Sequence, residues 1–135
     1  MHSKDYILTE IEKMALVIAR LLGFKEAGKT DEFIKLADST LLNNYNIKLD
    51  EILALDIDAF ELLLKNENYS ADKLDALAQL LYIYSLPFTA NAELLLSFKK
   101  ILLVYDVLEQ QYHRQSFENI NKRNTIYQFL QTNYE

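Results

Sequence analysis

Residues 23–30 read GFKEAGKT and carry the spacing G-x-x-x-x-G-K-[ST] of a phosphate-binding loop. Such a loop turns its backbone N–H groups inward around a phosphate, with a strand delivering the chain and a helix N-terminus receiving the charge. The apolar run MALVIARLL, Met14 to Leu22, would have to be that strand. Its surroundings argue otherwise. Apolar residues recur at three- and four-residue steps from Ile7 through Leu22, so a strand over 14–22 would cut one helix in two. Phe24, Lys25 and Glu26 also stand where the chain must curl, and Glu26 would add negative charge beside the phosphates. The same residues suit a helix corner. Gly28 takes a left-handed C-cap, Lys25 and Lys29 complement a helix end, and Thr30 or Asp31 caps the next helix. No nucleotide is expected to bind at Gly23–Thr30.

Asp106, Glu109 and His113 share one helical face at i, i+3 and i+7, and Glu109 with His113 matches a spacing used by carboxylate-bundle metal sites. A site of that kind needs carboxylates and a second histidine from facing helices, and the other histidine is His2. A solvated face is therefore expected, with no metal and no cofactor. Asp56 or Asp106, each after an apolar run, would have to hold magnesium in a nucleotide site, but both lie in Leu-rich helical segments. Asp56, Asp58 and Glu61 lack the glycine and alternating oxygen ligands of a calcium loop and read as caps and first-turn charges. Asn68-Tyr69-Ser70 matches a glycosylation acceptor and reads here as a loop followed by a helix cap.

Lys99 with Lys100, and Arg114 with Lys122 and Arg123, would form the basic patch that nucleic acid requires. The net charge of -6 opposes it, so no nucleic-acid partner is expected. The absence of cysteine excludes disulfides, thiolate metal sites and cysteine nucleophiles. With no catalytic constellation left, the chain is expected not to be an enzyme. The residues singled out for an inter-helix groove or subunit interface are Tyr82, Tyr105, Tyr112 and His113, because tyrosine combines apolar area with a polar tip. A convergent buried polar cluster near Tyr82, Tyr105 and His113 would favour the alternative reading, a small-ligand or enzyme groove between helices.

The elements that must position these residues are helical. Leucine occurs 25 times against 3 valines, with 2 glycines and 1 proline, so the raw material of an α/β sheet is missing. The periodicity predicts one helix from Asp5 to about Ala27 and a second marked by Ile34, Ala37, Leu41 and Tyr45. A short helical pair follows, starting near Asp50 and Asp58. A helix capped by Ser70 carries Leu74, Leu77, Ala78, Leu81 and Tyr84 and ends before Pro87. Thr89 or Asn91 starts a long helix through about His113, and Ser116 caps a last one with Phe117, Ile120, Tyr127, Leu130 and Tyr134 on its inner side. No Gly-, Ser- or Pro-rich linker appears, so a single helical domain over 1–135 is expected, its short turns making neighbours antiparallel.

No membrane span is expected: the longest uncharged segment, Ala76 to Ala92, is interrupted by Gln79, Ser85, Pro87, Thr89 and Asn91. The alternating charges of MHSKDYILTEIEK are unlike a signal peptide, so a cytoplasmic location is expected.

The run ARLLGFKEAGKTDEFIKLADSTL, Ala19 to Leu41, resembles the helix-turn-helix of tetratricopeptide-type repeats, with Ala37 at a usual small position. Phe33 and Thr40 stand where alanine is common in those repeats, and no later segment repeats the pattern. The opening, with Asp5-Tyr6-Ile7-Leu8, Ile11-Glu12 and the Leu22-Gly23-Phe24-Lys25 turn, is similar to a family of small uncharacterised bacterial proteins that carries no known activity. The resulting expectation is an all-α, tetratricopeptide-like or irregular helical bundle acting without catalysis as an interaction or scaffold module. Wide apolar stripes such as LLLSFKKILLVYDVL suggest a homodimer.

Overall fold

The computed structural model describes the backbone of residues 3–134 and the side chains of residues 12–134. Among the described residues the chain forms seven α-helices and no strand. Its internal contacts divide into two compact units, one running to Leu49 and the other from Asp50 onward. No change in composition marks this division, which falls just after the polar segment ending in Lys48.

The first unit is a helical hairpin of α1 (Ser3–Glu26) and α2 (Thr30–Tyr45). The predicted stripe of α1 is present from Met14 onward, where Met14 and Ile18 are half-buried and Leu21 is fully buried. The side chains of Ile7 and Ile11 lie outside those described. The corner closes as the sequence leads one to expect: Gly28 sits at φ 71°, its N–H donates to Lys25 O at 3.2 Å, and the Lys29 N–H donates to Phe24 O at 2.9 Å. This pair of bonds is a Schellman closure, which uses up the carbonyls left open at the helix end.

The start of α2 differs from expectation. Neither Thr30 nor Asp31 is its N-cap; Lys29 occupies that position without a side-chain capping bond. The closure explains this, because the Thr30 N–H is already bonded to Gly28 O at 3.1 Å and no spare residue separates the helices. Phe33, Ala37, Leu41 and Tyr45 are buried along α2, and the Lys25 ammonium lies 5.3 Å from the centre of the Phe33 ring.

The division falls within α3 (Leu49–Ala54), whose first N–H, that of Leu49, donates to Asp38 Oδ1 at 2.9 Å. The remaining helices are α4 (Ile57–Glu67), α5 (Ala71–Tyr84), α6 (Ala92–Tyr112) and α7 (Phe117–Asn133). Side-chain caps set their starts: Asp56 accepts from Ala59 N, Ser70 from Lys73 N, Asn91 from Leu94 N and Ser116 from Asn119 N. Each satisfies a donor that a helix N-terminus would leave open, worth about 1 kcal/mol. The cap of α4 is thus Asp56 rather than Asp58, which instead lies in the first turn.

The central helix of this unit is α6, which packs on α4, α5 and α7. That placement consumes the wide apolar stripe of LLLSFKKILLVYDVL: Leu94, Phe98, Ile101, Val104, Tyr105 and Leu108 are all buried. Phe88 anchors the far end of α7 through edge-on contacts with Phe98 and Phe129, at centroid distances of 4.9 and 5.5 Å. The Tyr134 hydroxyl donates to Asn91 O at 2.7 Å and accepts from Asn91 N–H at 3.0 Å.

The inner face of α7 is rotated from the predicted one. Phe117 is 86% exposed and Tyr127 48%, whereas Ile126 is fully buried and Arg123 lies half-buried one turn before it. An arginine on the inner face looked like an outward position in the sequence; carboxylates on α6 supply the partners that turn it inward.

Candidate binding groove and polar cluster

Between α4 and α6 a cavity of about 370 Å³ remains open. Glu61, Leu64 and Lys65 of α4, with Asn68 that ends it, line the cavity at three- and four-residue steps; on α6, Leu103, Asp106, Val107 and Gln110 do the same. These spacings place each set along one helical ridge, so the gap runs between two parallel rows of side chains. Leu64, Leu103 and Val107, with Leu74 of α5, give it an apolar floor, while the charged and amide groups form its rim.

Tyr69 and Tyr112 close one end. The Tyr112 hydroxyl donates to the Tyr69 backbone oxygen at 2.8 Å, and Asn68 turns the chain there at φ 50°, its N–H donating to Leu64 O. Burial pushes the Tyr69 hydroxyl up to about 12, with a further upward contribution from Glu67.

A second feature lies where α5, α6 and α7 meet. Asp75 accepts from Gln79 Nε2 at 2.9 Å and from Asn119 Nδ2 at 2.8 Å, tying α5 to α7. Arg123 Nη1 donates to Glu109 Oε1 at 2.5 Å, and Nη2 lies 3.6 Å from Asp106 Oδ1. Gln115 also donates to Glu109, at 3.1 Å. The Arg123 guanidinium stands 5.6 Å from the centre of the Tyr105 ring, and the Lys122 ammonium 5.4 Å from that of Tyr82.

The hydrogen bond from Arg123 holds the Glu109 carboxyl below its ordinary range. Burial pushes the Tyr105 hydroxyl up, reinforced by Tyr82 and Asp75. That hydroxyl is buried with no hydrogen-bond partner among the described residues. Tyr82 is raised as well, chiefly by burial and against a hydrogen bond with Thr125.

Lys100 is a third feature. Its side chain is 1% exposed, and its ammonium donates to Ile52 O at 2.9 Å and Leu53 O at 3.0 Å, the open carbonyls at the end of α3. A cation at a helix C-terminus complements the partial negative charge there. Burial lowers the Lys100 ammonium, while Asp56 acts in the opposite sense.

The four residues singled out from the sequence therefore do not share one site. Tyr82 and Tyr105 meet in the α5–α6–α7 cluster, Tyr112 lines the α4–α6 groove, and His113 is exposed in the left-handed conformation that ends α6. The Asp106-Glu109-His113 face is split: Glu109 is tied to Arg123 and Gln115, and among the described residues no three His, Cys, Asp or Glu side chains converge to hold a metal ion. His2 lies outside the described residues.

Three of the five basic-patch residues bond to groups of the same chain. Lys100 caps α3, Arg114 pairs with Asp72 at 2.8 Å, and Arg123 with Glu109. In GFKEAGKT, residues 23–26 are the last turn of α1, and the amides of Ala27, Gly28 and Lys29 donate to carbonyls of that turn rather than facing a common centre. The sequence shows Lys100 and Arg123 only as charges of a basic patch, and of the α4–α6 groove it singles out Tyr112 alone as a groove residue. Among the described residues no helix is long and apolar enough to cross a membrane.

The chain matches no family model, and no curated protein or solved structure is found similar to it.

Proposed function

We propose that this chain is a non-catalytic helical interaction module of the cytoplasm, built on a tetratricopeptide-like hairpin, that self-associates through an open face of α1. One observation carries the reading: Leu16 is 64% exposed and Leu22 38%, on a helix whose Ala15, Ala19 and Gly23 are also exposed. At 100° per residue these five positions fall within about a third of the helix circumference. Ala15, Ala19 and Gly23 recur every fourth residue, and a Cβ added at Gly23 would meet nothing within 4 Å. Small residues in such a row let another helix backbone approach closely, with Leu16 and Leu22 packing on either side.

The energetics give a weak, concentration-dependent pair. Covering Leu16 and Leu22 on both copies recovers about 1 kcal/mol or more per side chain, against an association cost of at least ~4 kcal/mol. Glu12 and Glu26 bound the strip at its two ends. Pairing in a parallel or an antiparallel sense brings carboxylates together, so salt should strengthen it. The non-catalytic part of the reading is supported by the dispersal of Tyr82, Tyr105, Tyr112 and His113 and by the pairing of Glu109 with Arg123.

Sedimentation equilibrium from micromolar to several hundred micromolar tests it. A mass that rises with concentration, and rises further at high salt, is expected. A strictly monomeric mass throughout would remove the proposal.

A further inference from the structure

The α4–α6 groove lies outside the proposed self-association face and has its own chemistry. We infer that it receives an extended peptide segment carrying a basic side chain. Glu61 and Asp106 stand on its opposite walls, one from each helix, above the apolar floor of Leu64, Leu103 and Val107. A lysine or arginine side chain has the matching form, a methylene stem for the floor and a charged head for the rim. A cleft lined by one predominant sign of charge focuses that field on what enters it. The charged side chains that line the groove are Glu61 and Asp106 against Lys65, so the net field there favours a cation.

The groups packed against these carboxylates leave them available. Arg123 Nη2 approaches Asp106 at 3.6 Å, but that guanidinium makes its hydrogen bond to Glu109, and the Asp106 side chain remains 58% exposed. Asn68, Gln110 and Gln111 add side-chain amides to the lining. Each offers both a donor and an acceptor, the pairing that an extended peptide backbone needs. The cavity of about 370 Å³ falls at the small end of ligand pockets, enough for one side chain and its flanking peptide groups.

Amide chemical shifts of the full chain, titrated with the blocked tripeptide acetyl-Ala-Arg-Ala-amide and with its Glu counterpart, test the inference. The arginine peptide should give saturable shifts at Lys65, Asn68, Asp106 and Gln110, and the glutamate peptide none there. Glu61→Gln combined with Asp106→Asn should weaken the arginine peptide about five-fold, as expected for two exposed ion pairs, with the melting temperature unchanged. Equal responses to the two peptides, shifts that stay linear to the highest concentration, or a double variant that binds as well as the original would each overturn it. None of these readouts depends on self-association through α1.

Discussion

Replacing Lys100 with methionine isolates the ammonium, because the unbranched apolar stem is retained while the charge and its donors are removed. Two carbonyls, Ile52 O and Leu53 O, would lose their donor at the end of α3. An unsatisfied buried polar group costs about 1–3 kcal/mol, and the Leu53 bond is only part-buried, so the gross loss is roughly 4 kcal/mol. Relief works the other way: a buried ammonium is penalised by desolvation, which is why this lysine titrates below the ordinary value. Taking that relief as about half of the loss leaves a net destabilisation near 2 kcal/mol, or roughly 8 °C in melting temperature for a chain of this size.

The pH dependence separates the two contributions. Between the lowered native value and the ordinary lysine value, the unfolded chain binds more protons than the native one, so the lysine's contribution to stability rises with pH through that window. Lys100→Met should remove that rising component while being less stable at neutral pH. Thermal and urea unfolding of both proteins from pH 7 to pH 11 is the assay. A methionine variant as stable as the original at pH 7, or more so, would show that the carbonyls of α3 need no partner and would refute the reasoning.

Three further outcomes follow from the same geometry. Because Arg123 holds Glu109 below its ordinary value, that carboxylate's contribution is present above the ordinary glutamate value and is lost as pH falls through the depressed one; Glu109→Gln should flatten the acid limb of the stability curve measured by urea unfolding. Tyr105 is raised, so its contribution is present below the ordinary tyrosine value and is lost as pH rises through the native one. Tyr105→Phe should flatten the alkaline limb and, because the hydroxyl has no partner, change neutral stability by less than about 1 kcal/mol in urea unfolding. Gly28→Ala should cost about 1 kcal/mol by thermal unfolding, since φ 71° strains any residue with a Cβ even though the space around it is open.

What could be read from the sequence is what neighbouring residues decide. Ser70, Asn91 and Ser116 cap the helices that follow because each oxygen needs only an N–H three residues on, and Gly28 stops α1 for a reason internal to its own turn. The starts of α2 and α4 are also local: the closure at Gly28 sets the first, and Asp56 rather than Asp58 caps the second. What could not be read depends on partners distant in the chain. Lys100 points inward because carbonyls 48 and 47 positions away receive it, and Arg123 because Glu109, 14 positions earlier, lies on the facing helix. Each looks like a surface charge in a periodic pattern. The groove has even less local signal, since Glu61 and Asp106 become neighbours only through the packing of α4 on α6.

The open face of α1 is tested most directly by light scattering of the original chain beside Leu16→Asp combined with Leu22→Asp, at several hundred micromolar and high salt. Both side chains are exposed, so the substitutions should leave the helical circular dichroism and the melting temperature nearly unchanged. The original chain should scatter with a mass above that of the monomer, and the double variant should remain at the monomer mass. Equal masses for the two proteins, whether monomeric or associated, would contradict the assignment of that face.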